Sequence, residues 1–313
     1  MLARIAQELF WLGRNLARAE STARLLDGVF QAELQGRPED PSATRLGWDS
    51  LMHIMGGANG GEEAPATRDT VLEALTRDTG NPASVVACVA RAREGAQAVR
   101  DVISAEMWEA INTTHLRLRD GDLSGTARLP TGAYSIYQHV KERSALFWGL
   151  TARTMLRDEA SAFLSAGGRI ESGDMVLRML RVALPVGDDE DGADGQAIAL
   201  LQAVGGFQAY RRAVPAPAHA KPVARFLLFE RSYPDSVAAA VDAVNVALQT
   251  ADGSPRSSEP ILRLSRLSAD LEFRRSAESD ADLRVTCEEV QRELGHVDGD
   301  IAQRYFGGAR TAA

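Results

Sequence analysis

The sequence predicts an all-α fold, a bundle of long antiparallel helices. Three observations carry that prediction. Apolar residues recur at steps of three and four, as in Ile5, Leu9, Leu12, Leu16, Ala19, Ala23 and Leu26. Alanine and arginine are abundant while aromatic residues make up only 6%, a balance unlike that of strands. No alternation of apolar and polar residues of useful length appears. With 313 residues, 45% of them hydrophobic, the chain can bury a large core. It reads as one helical domain over 1–313, with possible halves 1–130 and 131–313.

The first helix is expected from about residue 2 to 34, where Gly36, Pro38 and Pro41 stop it. A short helix from Ala43 to Met55 and a glycine-rich loop, Gly56 to Gly61, follow, then a second short helix from Thr67 to Arg77. Asn81 can cap, and Pro82 suits a first helical turn. Behind them Val85, Val89, Ala92, Ala96, Val99 and Ile103 keep the helical rhythm, predicting one long helix as far as Leu118. Further helices are expected over 133–166, 170–184 and 198–212, with an acidic turn from Pro185 to Gly195. Pro215, Pro217 and Pro222 mark a connector. Arg225 to Phe229 is too short to classify by period; context favours helix. Pro234 opens a helix to about Leu248, and two more run over 259–278 and 280–306.

A net charge of −8 gives nucleic-acid binding no electrostatic support. Cys88 and Cys287 are too few and too far apart for a disulfide framework or zinc site. Arg4, Glu8 and Arg14 interrupt the apolar residues at the N-terminus, so neither a signal peptide nor a membrane span is expected there. No membrane role and a cytoplasmic location are expected. The single Glu-x-x-His, Glu293 and His296, lacks the companions of a di-metal bundle, so no metal or cofactor is expected. The glycine loop has no P-loop lysine and hydroxyl, and there is no Gly-x-Ser-x-Gly elbow.

The first helix has an echo. Adding 154 to its numbers pairs Gly13 with Gly167, Leu16 with Ile170, Glu20 with Asp174, Arg24 with Arg178 and Leu26 with Leu180. Duplication and chance similarity between amphipathic helices both account for it.

The run Leu12-Gly13-Arg14-Asn15-Leu16-Ala17-Arg18-Ala19-Glu20-Ser21-Thr22-Ala23-Arg24 resembles the opening of the bacterial alpha-E domain family. Further blocks of the same family are resembled, in family order, by Ala92-Arg93-Glu94 with Ser104-Ala105-Glu106-Met107-Trp108, by Thr154-Met155-Leu156-Arg157-Asp158-Glu159, and by Arg225-Phe226-Leu227-Leu228 with Pro234-Asp235-Ser236-Val237. The resemblance implies an all-helical fold and the company of a circularly permuted ATP-grasp ligase. Transglutaminase-like and proteasome-like peptidases are its other implied neighbours. That company implies a system that makes or trims amide bonds. The chain departs from the pattern where Ala17 replaces a Glu. In the second copy, Gly167-Gly168 and Glu171-Ser172-Gly173 lack two arginines.

Glu20 and Arg24 stand at i,i+4, where opposite charges meet. Arg93, Gln97, Arg100 and Ser104 share one face of the expected long helix. Two arginines a heptad apart could grip a carboxylate or phosphate, or pair with acids and fix packing. Arg14, Arg18, Glu20 and Arg24 form a matching set, and the two sets could face one another across a polar pocket. Arg157 and Asn112 complete the binding candidates. Trp108 reads as core. Glu20, Glu94 and Glu106 are the candidate acid–base groups. Three functions remain open: a helical accessory or substrate-holding subunit of an ATP-grasp amide-ligase system, a stand-alone enzyme acting on a peptide or amino-acid derivative, and a structural interaction bundle. The first, a non-catalytic partner, is preferred.

Overall fold

The computed structural model describes the backbone of residues 1–34, 47–56, 66–120, 130–183, 193–276 and 283–307. Among these, every regular element is a helix. The long amphipathic helix α1 (Ala3–Leu34) follows the apolar stripe, with Leu9, Leu12, Ala19, Ala23 and Leu26 fully buried. Helix α2 (Trp48–Met55) ends on Gly56 in the left-handed region, φ 73°. Its expected first residues, 43–46, lie outside the described residues, as do Gly57–Gly61 of the glycine loop and residues 185–192 of the acidic turn. Helix α3 (Arg68–Leu72) runs on into one π-helical turn (Glu73–Arg77).

The expected helix from Asn81 to Leu118 is two helices, α4 (Val85–Ala98) and α5 (Ala105–Asp120). Val99 leaves helical geometry, and the Ser104 hydroxyl accepts from the Met107 amide at 3.2 Å, starting a new helix. The rhythm misleads because Val99 and Ile103 stay buried through the turn. Ser84 is the cap of α4, accepting from Ala87 N–H at 3.1 Å; Asn81 instead accepts from Ala83 N–H.

A second correction concerns the break expected at Gly167-Gly168. Helix α6 (Pro130–Thr154) stops earlier, and α7 (Glu159–Ala183) runs straight through both glycines. Asp158 starts α7 by accepting from the Ala160 and Ser161 amides at 3.0 and 3.2 Å. The glycines serve packing. A Cβ at Gly167 would overlap the Phe10 carbonyl, and one at Gly13 the Leu164 carbonyl. Glycine lets the two backbones touch.

Residues 198–212 also divide, into α8 (Ala193–Ala203) and α9 (Phe207–Ala213), at Gly205 with φ 72°. Arg225–Phe229 is helical, within α10 (Ala220–Phe229). Ser236, not Pro234, caps α11 (Val237–Ala251). Helices α12 (Glu259–Ser276) and α13 (Leu283–Tyr305) complete the described chain. None of these helices is long and apolar enough to cross a membrane.

The packing repeats. Helix α1 lies against α4 and α6, and α7 lies against α11 and α13 in the same way. In each set the two helices after the central contact pack as hairpins, α4 on α5 and α11 on α12. Helix α6 packs on α1 and α5. The two sets are joined through α1 and α7 and by exchange, since α2 packs on α7 and α8 on α1. The hairpin of α4 and α5 is antiparallel, since Arg93 bonds Asn112 while Arg100, further along, lies over the earlier Trp108. The central pair runs the other way. Met1 meets Glu159, Phe10 meets Gly167, and Arg18 meets Glu171, so α1 and α7 are parallel.

Candidate functional site

Where α1 and α7 touch, the interior holds a charged cluster. Glu171 is 1% exposed and accepts from both Arg14 and Arg18. Arg18 grips it with two nitrogens, at 2.5 and 3.1 Å. Arg14 Nε donates to the same carboxylate at 2.9 Å, and its Nη1 donates to Asp298 at 2.7 Å. Its guanidinium also lies over the Trp11 ring, 5.0 Å from the centroid. Burial works against every charge here, but the opposite charges outweigh it. Burial alone would raise the Glu171 carboxyl; Arg14 and Arg18 hold it down at about 2. Desolvation would lower the Arg14 and Arg18 pKa values, yet Glu171 raises both. The opposite charges are paired with one another, so the cluster ties α1 to α7.

Arg14 and Arg18, expected to grip a ligand, are here paired with Glu171 and Asp298. They do not face Arg93 and Arg100 across a shared pocket. Arg93 and Arg100 turn towards α5, where both lie over Trp108, at 5.4 and 4.5 Å from its ring centroid. Arg93 Nε donates to Asn112 at 2.8 Å, making Asn112 an anchor between α4 and α5. Trp108 is only partly buried and serves as their platform. Because α4 ends at Ala98, Arg100 and Ser104 do not share a helix face with Arg93. Glu94 and Glu106 are exposed on α4 and α5.

Glu20, Arg24 and Arg157 meet elsewhere. They line a cavity of about 520 Å³ between α1, α6 and α7, closed by the end of α8 and the Pro234-Asp235 turn. Arg24 donates to one Glu20 oxygen from two nitrogens, at 2.9 and 2.7 Å. Across the cavity Arg169 donates to the Pro234 carbonyl and to Asp235, at 3.0 and 3.2 Å. Arg157, in the α6–α7 turn, is exposed and has no partner among the described residues. Trp148, Met155, Met175 and Met179 supply apolar wall; Ser21, Ser161, Ser165 and Ser172 supply hydroxyls. This volume and mixed lining match sites for small organic ligands.

Sequence reasoning missed Glu171, Asp298 and the cavity's α6 and α7 walls. Glu171 had a signal: it stands 154 residues after Ala17, where the family resemblance expects a glutamate. Cys88 is buried beside Arg18 and Arg91, and burial pushes its thiol up to about 11 despite both cations, so it is no nucleophile. Among the described residues, no three of His, Cys, Asp and Glu come together as metal ligands. Glu293 is engaged by Arg263 and Arg266.

A family model, Alpha-E, described as a predicted alpha-helical domain with a conserved ER motif, matches residues 1–306. An uncharacterized protein of Mycobacterium tuberculosis is 24% identical over 271 residues, covering 82% of this chain and 31% of that protein. An uncharacterized protein of Mycobacterium bovis matches with the same identity and coverage. The chain thus spans about a third of the length of these curated relatives. No solved structure matches it.

Proposed function

The chain belongs to the Alpha-E family, and we propose that it is a substrate-holding accessory subunit of an ATP-dependent amide ligase. One observation carries the reading: a cavity of about 520 Å³ whose rim presents charges of both signs and whose walls are apolar. Such a lining suits a peptide or amino-acid derivative, which carries amide, charged ends and apolar side chains together. The ionisable cluster beside it is fully neutralised, so chemistry on the held molecule is assigned to a partner. The family resemblance points to a circularly permuted ATP-grasp ligase, with transglutaminase-like and proteasome-like peptidases as further neighbours. The matched region being under a third of longer relatives supports a module that works beside other domains.

The test is reconstitution. A tagged chain isolated gently from its host is expected to retain an ATP-grasp ligase in stoichiometric amount. Adding the chain to that ligase is expected to raise product formation. Ligase output that is the same with and without the chain would overturn the proposal.

A further inference from the structure

The charged cluster and the cavity are the same place in two copies of one plan. The 154-residue offset that pairs Gly13 with Gly167 also gives Arg14, Arg18 and Glu171 their counterparts: Gly168, Ser172 and Ala17. All three counterparts line the cavity. On one side of the α1–α7 contact, two guanidiniums and a carboxylate fill the space. On the other, the same backbone positions carry almost no side chain. The set is missing as a unit, two positive groups and one negative, so no buried charge is left without its partner.

Protein interiors are close-packed, and vacated volume is ordinarily refilled by larger apolar side chains. Here refilling is partial. The Trp148 ring reaches the Gly168 backbone, where a Cβ would lie 2.6 Å from it. The rest stays open. The charges around the opening also do not balance. Arg24 is taken by Glu20 and Arg169 by Asp235, which among the described residues leaves Arg157 as one uncompensated cation at the rim. Beside it Leu156 is 78% exposed.

We propose that the cavity is a specific site for a small monoanion with an uncharged apolar body: a carboxylate next to an amide, as in an N-acylated amino acid or a peptide C-terminus. The carboxylate meets Arg157, whose planar fork of donors suits it. The apolar body lies against Trp148 and the methionines, in the space that Arg14, Arg18 and Glu171 fill on the other side. This site deepens the substrate-holding reading and rests on it for the identity of the held molecule.

The probe is N-acetyl-leucyl-phenylalanine, as the free acid and as the C-terminal amide, titrated into the full chain by calorimetry. The acid is expected to bind, and the amide about tenfold more weakly, the worth of one charge-assisted hydrogen bond. Arg157→Ala is expected to bring the acid down to the amide's affinity, and Arg157→Lys to recover part of the difference. Ala17→Glu with Ser172→Arg refills the cavity and is expected to abolish binding. Equal affinity for acid and amide, full binding by the refilled variant, or no binding of either probe would overturn the site. The two proposals fail separately. Binding of the acid without any effect of the chain on ligase output removes the accessory role and keeps the site. Raised ligase output without acid-selective binding does the reverse.

Discussion

Glu171→Gln keeps the size of the central side chain and removes its charge. Arg14 and Arg18 then remain inside the α1–α7 contact, with Asp298, on Arg14, as the ion-pair partner left among the described residues. The cost follows from the electrostatics of the intact cluster. The Glu171 carboxyl is lowered from 4.5 to about 2 by the two guanidiniums, against the opposing effect of burial. At about 1.4 kcal/mol per pH unit, the ionised carboxylate contributes on the order of 3 kcal/mol. That agrees with the ~3–5 kcal/mol typical of breaking a buried ion pair on one side. For a chain of this size, 3 kcal/mol corresponds to a fall of roughly 5 °C in melting temperature. Thermal and urea unfolding followed by circular dichroism at pH 7 measures it. The pH dependence supplies a second reading. Because the folded pKa is depressed, the contribution is complete above the unfolded value near 4.5 and is lost as pH falls towards 2. Wild type and variant are therefore expected to converge between those values. A variant within ~0.5 kcal/mol of wild type at pH 7, the usual scale of a neutral surface change, would show that the Glu171 charge does not hold the α1–α7 contact.

Gly167→Ala is expected to cost more than about 3 kcal/mol, although alanine is the better helix former by about 1 kcal/mol. The new Cβ would meet the Phe10 carbonyl, and neither backbone can yield without opening the contact; unfolding midpoints check this. Ser84→Ala removes the hydroxyl that caps α4 and also donates to Asp78 O at 2.6 Å. A loss of about 1 kcal/mol is expected in urea unfolding. Cys88, buried with its thiol pushed up to about 11, is expected to resist iodoacetamide at pH 8 in the folded protein and to react in urea. Mass spectrometry of the alkylated chain distinguishes the two states.

The helical class and the first helix were legible because a three-four apolar rhythm has one reading over thirty residues. Helix ends were less so. The rhythm passes through the turn at 99–104, since its apolar residues face the same core as the helices on either side. Gly167-Gly168 looked like a break because the local cost of glycine is visible in a sequence and the approaching Phe10 backbone is not. The same limit governs the site. Glu20–Arg24 was readable at i,i+4, and its bond is present. The Arg14 and Arg18 side chains were readable as a charged edge, but their partner lies more than 150 residues away. Arg157 gave no local hint that it shares a cavity with Glu20 and Arg24, because α1, α6 and α7 must first assemble. The echo at 154 residues was the one long-range signal. It locates Glu171 and, read through Gly168, Ser172 and Ala17, the cavity too.

The proposed role of the cavity is to hold what a partner ligase works on. The most direct measurement is product formation by the co-purified ligase with wild-type chain, with the Ala17→Glu/Ser172→Arg chain, and with none. The wild-type chain is expected to raise output. The refilled chain, folded and still bound to the ligase, leaves output at the level without it. Equal stimulation by both chains would contradict that role.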